Sequence, residues 1–193
     1  MVIDQSSVPI DLLPISSFKA HLRLASGFEE ETLQDPVLIA YLSAAITAIE
    51  ARINRIVLER DFVWTFSGEE ANRTLSVPLR PVKFLKESVF ETDGNDHVIG
   101  QNNVKLVRNP ENATFCIGQS IPSSSLVRVV LRVGMVKTWD MMPADLAQAI
   151  LLLAAHYYEF RHEVNLSSGC MPFGVTSLID RYKLRRISLG GGA

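Results

Sequence analysis

The stretch DPVLIAYLSAAITAIEARI, residues 35–53, predicts a long amphipathic helix. Asp35 can accept hydrogen bonds from the free amides of the first turn, and Pro36 suits the first helical position, where its missing N–H costs nothing. Apolar residues then recur at spacings of three and four over about six turns. They form one stripe of Leu38, Leu42, Ala45, Ile46, Ile49, Ile53 and Ile56, while Glu50, Arg52, Asn54 and Arg55 are expected on other faces.

A second long helix is predicted to begin at Pro143 and to end near Arg161 or His162. Its near-uniform apolarity indicates burial on most sides. Shorter helices are predicted for residues 16–24, capped by Ser16 or Ser17, and for residues 173–184. The helical parts of the chain are therefore residues 16–60 and 143–184.

The period changes to two after Asp61, which predicts a β-rich middle over residues 61–134. Residues 63–66 and 74–77 are two strands separated by a polar turn at residues 67–70. The clearest strand is residues 126–133, which alternate valine and leucine with two arginines. Shorter strands are expected at residues 82–90, 98–99, 104–106 and 114–117, with a turn at residues 93–95.

These elements predict an α+β fold that is mainly α. We expect one domain, residues 1–193, in which a small helical bundle forms the body and the β-rich middle is an inserted layer. Residues 1–14 are rich in proline, serine and acids without apolar periodicity, so they are expected to form an extended N-terminal arm. Residues 185–193 have too little apolar content to fold alone and are expected to form a C-terminal tail.

Composition restricts the possible functions. The formal net charge of −2, from 19 basic and 21 acidic residues, gives no overall basic field for sequence-nonspecific DNA binding. Cys116 and Cys170 are far apart, so free thiols are expected rather than a disulfide framework or a thiolate metal site. The start of the chain lacks a secretory pattern, and the apolar run at residues 149–155 is too short to cross a membrane. Synthesis in a bacterial cytoplasm, with no membrane partner, is expected.

No motif predicts catalysis, a metal site or a cofactor. The histidines at positions 21, 97, 156 and 162 lack metal-ligand spacing, and no serine lies in a nucleophile elbow. Asp93 and Asp96 could bind a cation, but the spacing of a calcium loop is missing and a solvated hairpin is favoured. Glu29, Glu30 and Glu31 are interpreted as a solvated connection, and the glycines at positions 190–192 lack the strand and helix that a phosphate-binding loop needs.

The tail opposes the charge of the rest of the chain, because no acidic residue follows Asp180. Its apolar residues alternate with polar ones, so the tail could add to a neighbour's sheet edge or groove. A solvated terminus is the alternative interpretation. The predicted docking residues are Arg181, Lys183, Arg185, Arg186, Ile187 and Leu189.

The order of several motifs resembles the phage head-tail connector, or adaptor, family, which includes the adaptors of gene transfer agents. The resemblance covers about residues 16–186 and is weak only over residues 91–125. The motifs are FKAHLRL at residues 18–24, Asn54-Arg55 at the end of the long helix, Trp64 in the following strand, LSVPLRPV at residues 75–82, the strand and glycine at residues 129–134, MPADLAQAI at residues 142–150, and YYEFR at residues 157–161.

This resemblance implies a non-enzymatic structural protein of a virion or phage-like particle, located at the head–tail interface. It implies a homo-oligomeric ring, commonly a dodecamer, that lies below the portal protein and joins the DNA-filled head to a tail-side connector or stopper protein. Double-stranded DNA would pass through the lumen without sequence-specific binding, so a lumen that is not strongly basic is expected. A tail-completion or helical regulatory module is the alternative, and a small enzyme is a third hypothesis.

Overall fold

The computed structural model describes residues 2–5, 7–23, 35–109, 112–161 and 171–183. The chain divides into two compact units, each built from two segments that are separated in sequence. The first, called here the sheet unit, comprises Met1–Pro14 and Arg55–Met142. The second, called the helical unit, comprises Ile15–Asn54 and Pro143–Ala193.

The described part of the sheet unit contains two antiparallel sheets. The larger has the strand order β1-β2-β8-β4-β5 and the smaller has the order β3-β7-β6. The strands are β1 (Val2–Gln5), β2 (Arg60–Ser67), β3 (Leu75–Val77), β4 (Val82–Thr92), β5 (Asn95–Val98), β6 (Val104–Arg108), β7 (Ala113–Ile117) and β8 (Leu126–Val133).

Strands β2 and β8 form the centre of the sheet unit because their alternation directs one set of side chains to a common face. Their burial alternates strictly along most of both strands, and Trp64 pairs with Val129 in the antiparallel register. The Trp64 ring lies 4.6 Å from the Phe66 ring and 5.8 Å from Phe115 of the smaller sheet, measured between ring centroids. The two sheets therefore share one aromatic core.

Strand β4 is the longest, and its pairing with β8 is interrupted twice, between Val82 and Phe84 and between Leu85 and Glu87. Such irregularities disturb the alternation of side chains along a strand. At its far end β4 turns into β5 through Asp93 and Gly94, both with positive φ, of 53° and 78°. This is the backbone of a tight hairpin turn, as the sequence predicts.

Between β2 and β3 the chain forms a short helix, α3 (Gly68–Ala71), where the sequence predicts a turn. A capping box holds it: the Ser67 hydroxyl accepts a hydrogen bond from the Glu70 amide, and the Glu70 carboxylate accepts one from the Ser67 amide at 3.0 Å. The hydrogen bond from the Ser67 backbone lowers the pKa of Glu70. The helix separates β2 from β3, and β3 pairs with β7 instead.

The helical unit contains α1 (Ile15–His21), α2 (Asp35–Ile53), α4 (Ala144–Glu159) and α5 (Phe173–Ile179). The two long helices predicted from the sequence are confirmed as α2 and α4. Helix α2 packs against α4, and α5 packs against α4. Asn54, which follows α2, has φ of +56°, a conformation that asparagine tolerates better than most residues. Lys19 of α1 pairs with Asp35 at the start of α2, with 2.6 Å between Nζ and Oδ1.

The predicted stripe of α2 is buried from Leu38 to Ile53, and it forms the core of the helical unit. Glu50 is buried as well, against the expectation that it lies on another face. By length and composition alone, α2 is also apolar enough to cross a membrane, a test that buried core helices pass too. The burial of its stripe accounts for this apolarity.

The predicted fold class is wrong in its balance. The described residues are 41% helical and 31% strand, so the fold is a roughly balanced α+β and not a mainly α fold whose body is a small helical bundle. The β-rich middle is not a thin layer, because its two sheets enclose an aromatic core of their own. Strands such as β5, whose four residues are all exposed, carry no alternation that a sequence could reveal.

The residues of the predicted N-terminal arm are part of the sheet unit. Residues Val2–Gln5 are a strand that pairs antiparallel with β2, with Val2 opposite Thr65. A 3-10 turn follows at Ile10–Leu12, and Val8 and Leu13 are buried. The predicted C-terminal tail, residues 185–193, lies outside the described residues.

Candidate functional site

The described part of the predicted docking tail begins in a charged cluster at the start of α4. Arg181 pairs with Asp145, with 2.7 Å between Nε and Oδ2. Tyr182 donates a hydrogen bond from its hydroxyl to Asp145 Oδ1 at 2.6 Å, and Arg181 donates one to the Tyr182 hydroxyl at 2.7 Å. Asp145 also accepts a hydrogen bond from the Leu146 amide, as an acidic residue in the first turn of a helix can. This cluster holds the end of the described chain against α4.

The cluster changes the protonation behaviour of its members. Burial raises the pKa of Tyr182, and the hydrogen bond that its hydroxyl donates to Asp145 raises it further, while Arg181 acts in the opposite direction. The hydrogen bond to Tyr182 raises the pKa of Arg181, and Asp145 adds to this. Arg181 therefore stays charged, and Tyr182 stays protonated well above neutral pH.

The six predicted docking residues divide into two groups. Arg181 is engaged with Asp145 and Tyr182, and Lys183 pairs with Asp180 at 2.9 Å between Nζ and Oδ1. Both of these basic residues therefore have acidic partners within the helical unit. Arg185, Arg186, Ile187 and Leu189 lie outside the described residues.

A second basic surface, which sequence reasoning missed, lies in the sheet unit. A cleft of about 420 Å³ opens beside the start of β4. We call it the basic cleft; it is lined by Leu79, Arg80, Pro81, Val82, Lys83, Arg108, Asn109, Asn112 and Ala113. Its three basic residues come from two places about 25 residues apart along the chain, so only the packing of the two sheets brings them together.

The charges of the basic cleft are incompletely balanced. Lys83 Nζ lies 3.6 Å from Glu59 and donates a hydrogen bond to the Met135 carbonyl, and Arg108 donates one to the Lys83 carbonyl. Arg80 Nε is shielded from water and has no hydrogen-bond partner among the described residues. A shielded donor without a partner is costly, so an anionic group that entered the cleft would gain from meeting it.

Those of the residues considered for metal binding that the structure describes do not form a cluster of ligands. Within the described ranges, no group of three or more histidine, cysteine, aspartate or glutamate side chains could hold a metal ion. His97 stacks on Phe90 with ring centroids 5.0 Å apart, and His156 contacts Phe160 at 4.6 Å. Asp96 forms an ion pair with Arg128 at 2.5 Å, as an acidic residue of a solvated hairpin can. His162 and Cys170 lie outside the described residues.

Solved structures show what this whole architecture is similar to. One is the neck of an empty GTA (gene transfer agent) particle, a structure computed with C6 symmetry. A chain of that neck shares 32% sequence identity with this chain, with a TM-score of 0.81 and 99% of both chains covered. The chain belongs to the head-tail connector family. Chains of the virion of a native gene transfer agent particle and of the neck of a native particle, computed with C12 symmetry, have 31% and 30% identity and TM-scores of 0.76 and 0.73, also with 99% of both chains covered. No family model matches the sequence, and no curated protein matches it either.

Membership in the connector family agrees with the motifs seen in the sequence and assigns a structural role at the head–tail interface of a virion or phage-like particle. The similar chains are covered over almost their whole length, so both units of this connector have counterparts in them.

Proposed function

We propose that this connector is the subunit of a ring, of twelve copies, that lies below the portal protein and joins a DNA-filled, phage-like capsid to its tail. The observation that carries the proposal is the 32% identity with a neck chain over 99% of both chains. Ring assembly is supported by the C6 and C12 symmetries of the two neck structures, because twelve copies satisfy either symmetry.

The proposed role needs no catalysis. The described residues offer no cluster of metal ligands, and the raised pKa values of Arg181 and Tyr182 arise in one ion-paired cluster of the helical unit. Duplex DNA is proposed to pass through the ring without sequence-specific binding, since the chain carries a formal net charge of −2.

The tail is proposed to dock on the portal. The cluster of Asp145, Tyr182 and Arg181 supports this, because it holds Arg181 and Tyr182, just before the tail, against the start of α4. Arg185 and Arg186 would supply charge, and Ile187 and Leu189 would supply alternating apolar contacts to a sheet edge or groove of the partner. A tail-side connector or stopper protein is the proposed partner on the opposite face of the ring.

Electron microscopy of the purified chain, alone and with the portal encoded by the same locus, tests the proposal. We expect rings of about twelve copies and co-sedimentation with the portal. Removal of residues 184–193 should weaken portal binding at least tenfold while leaving ring formation intact. The control is Arg73→Ala, which removes an exposed arginine of the sheet unit. A chain that neither forms rings nor binds the portal would contradict the proposed function.

A further inference from the structure

The basic cleft has a counterpart of opposite charge at the other end of the same strand. Strand β4 runs from Val82, in the wall of the cleft, to Thr92, where it turns into β5. The turn carries Glu91, Asp93 and Asp96 and no basic residue. We call residues 91–96 the acidic tip.

The acidic tip projects from the sheet unit. Residues 93–98 are all exposed, including Val98, which is 74% exposed. A side-chain carbon added at Gly94 would meet no heavy atom within 4 Å, so the space around the turn is open. Asp96 is paired with Arg128, which leaves Asp93 as the carboxylate at the apex of the turn.

The distance between the two surfaces excludes contact within one chain. Eleven residues of extended strand separate them, a span of about 30 Å at roughly 3.3 Å per residue. A tip and a cleft at opposite ends of one strand can meet only between two copies. Because each copy uses a different surface, such a contact is heterologous, the kind that generates a ring when the rotation closes.

We propose that the acidic tip of one copy docks in the basic cleft of the next copy, and that this contact propagates around the ring. The inference rests on the proposed ring function and adds the contact surfaces to it. Asp93 would approach Arg108 and the guanidinium of the half-buried Arg80, and Val98 would cover the apolar wall formed by Leu79, Pro81 and Val82. A carboxylate that met Arg80 Nε would supply the acceptor that this donor lacks among the described residues.

A second copy is a better occupant of the cleft than duplex DNA. The cleft offers three basic side chains, one of which already has Glu59 within 3.6 Å. Three cations neutralise few phosphates, whereas the two carboxylates of the turn that are not paired with Arg128 can meet the two arginines of the cleft. The chain therefore carries both halves of the contact.

Disulfide cross-linking tests the contact directly. Asn95→Cys in the acidic tip and Asn112→Cys in the cleft are combined in a chain that also carries Cys116→Ser and Cys170→Ser. A disulfide requires Cα atoms within about 7 Å, so a bond within one chain is excluded and every bond must join two copies. Oxidation of assembled rings with copper phenanthroline should give a ladder of products that extends beyond the dimer on a non-reducing gel.

The control pairs Asn95→Cys with Glu69→Cys, an equally exposed position of the sheet unit, and should give no ladder. Products that stop at the dimer would indicate a symmetric contact and overturn the proposal. Rings that form without any cross-link would overturn the proposal while leaving the connector function intact. Failure of the parent chain to form rings at all would instead contradict the function itself.

Charge-exchange variants test whether a second copy or duplex DNA occupies the basic cleft. Arg108→Glu should raise the concentration at which rings assemble at least tenfold, and adding Asp93→Lys to the same chain should restore at least half of the lost assembly. Arg73→Glu, with the same charge change at an exposed site, is the control. Unaltered melting temperatures show that each variant folds. If Arg108→Glu leaves assembly unchanged but weakens retention of a short DNA duplex by the rings, the cleft is a phosphate site and the proposal is wrong.

Discussion

Two charged regions of this connector, one in each unit, use charge differently. In the helical unit, Arg181 and Lys183 are paired with Asp145 and Asp180, so their charges are balanced locally. In the sheet unit, the basic cleft holds a shielded arginine nitrogen without a partner among the described residues, and the acidic tip lies at the far end of the same strand. A region whose charges are balanced locally is suited to hold a structure, whereas separated charges that are incompletely balanced are suited to bind another molecule.

The cores differ as well. Trp64, Phe66 and Phe115 pack ring against ring between the two sheets, whereas the helical unit buries leucine, isoleucine and alanine along α2 and α4. Large aromatic side chains bury more area each and leave larger voids when they are removed. The sheet unit should therefore depend more strongly on single residues.

Trp64→Ala is expected to have the largest effect, a loss of about 3–5 kcal/mol in the free energy of unfolding, since it removes a fully buried ring with two aromatic neighbours. Leu42→Ala is the matched change in the helical unit, with about 2–5 kcal/mol expected, and it should lie below Trp64→Ala. Urea titrations followed by circular dichroism measure both losses. A smaller loss in the free energy of unfolding for Trp64→Ala than for Leu42→Ala would contradict the expected difference between the two cores.

Gly134→Ala and Gly174→Ala are expected to change stability in opposite directions. A side-chain carbon at Gly134, where φ is +151°, would lie 2.4 Å from Glu59 Cα, so this change should destabilise the sheet unit by about 1–3 kcal/mol. At Gly174, within α5, the same carbon meets nothing within 4 Å, and alanine should stabilise the protein by about 0.4–1 kcal/mol. Thermal melts show the direction of each change in stability. A change in the same direction for both variants would contradict the structure at one of the two sites.

Tyr182→Phe tests the charge balance of the helical unit and should have the smallest effect, a loss of about 1 kcal/mol at pH 8 because a hydrogen bond to a carboxylate is removed. The pKa of Tyr182 is raised in the folded protein, so the stability it contributes is present below the ordinary tyrosine pKa and is lost as the pH rises through the folded value. The difference between the parent protein and the variant should therefore shrink in urea titrations above about pH 10. A difference that stays constant across this range would show that the hydroxyl does not act through its proton.

Helices were more predictable from the sequence than strands because their evidence is local. The start of α2 at Asp35 follows from its Asp-Pro signal and from apolar spacing within a few turns, and α5 begins at Phe173, where the sequence predicts a helix. The extent of the sheets depends on pairings between distant segments, such as β1 with β2, and β1 is too short to show a period. Two register shifts in strand β4 disturb the alternation of its side chains. The sequence therefore predicted an inserted β-rich layer instead of a unit with its own core.

The two candidate contact surfaces also differed in how far the sequence revealed them. The basic tail was visible because its charges are adjacent in sequence, yet Arg181 and Lys183 turn out to have acidic partners that lie in the helical unit. The basic cleft was invisible because Arg80 and Lys83 are joined to Arg108 only by the packing of the two sheets. The family itself could be recognised from the order of its motifs, since these lie mostly at the ends of helices and in β2, β3 and β8.

The position of β1 has a consequence for how this chain is made. The first strand leaves the ribosome about 55 residues before its partner β2, and β8 follows only after about 60 more. The helical unit is likewise incomplete until α5 has been synthesised. Neither unit can close early during translation, and pairings of such large sequence separation form slowly. Nascent or truncated chains thus lack a finished surface to offer to a neighbour, which favours the entry of complete subunits into a growing assembly.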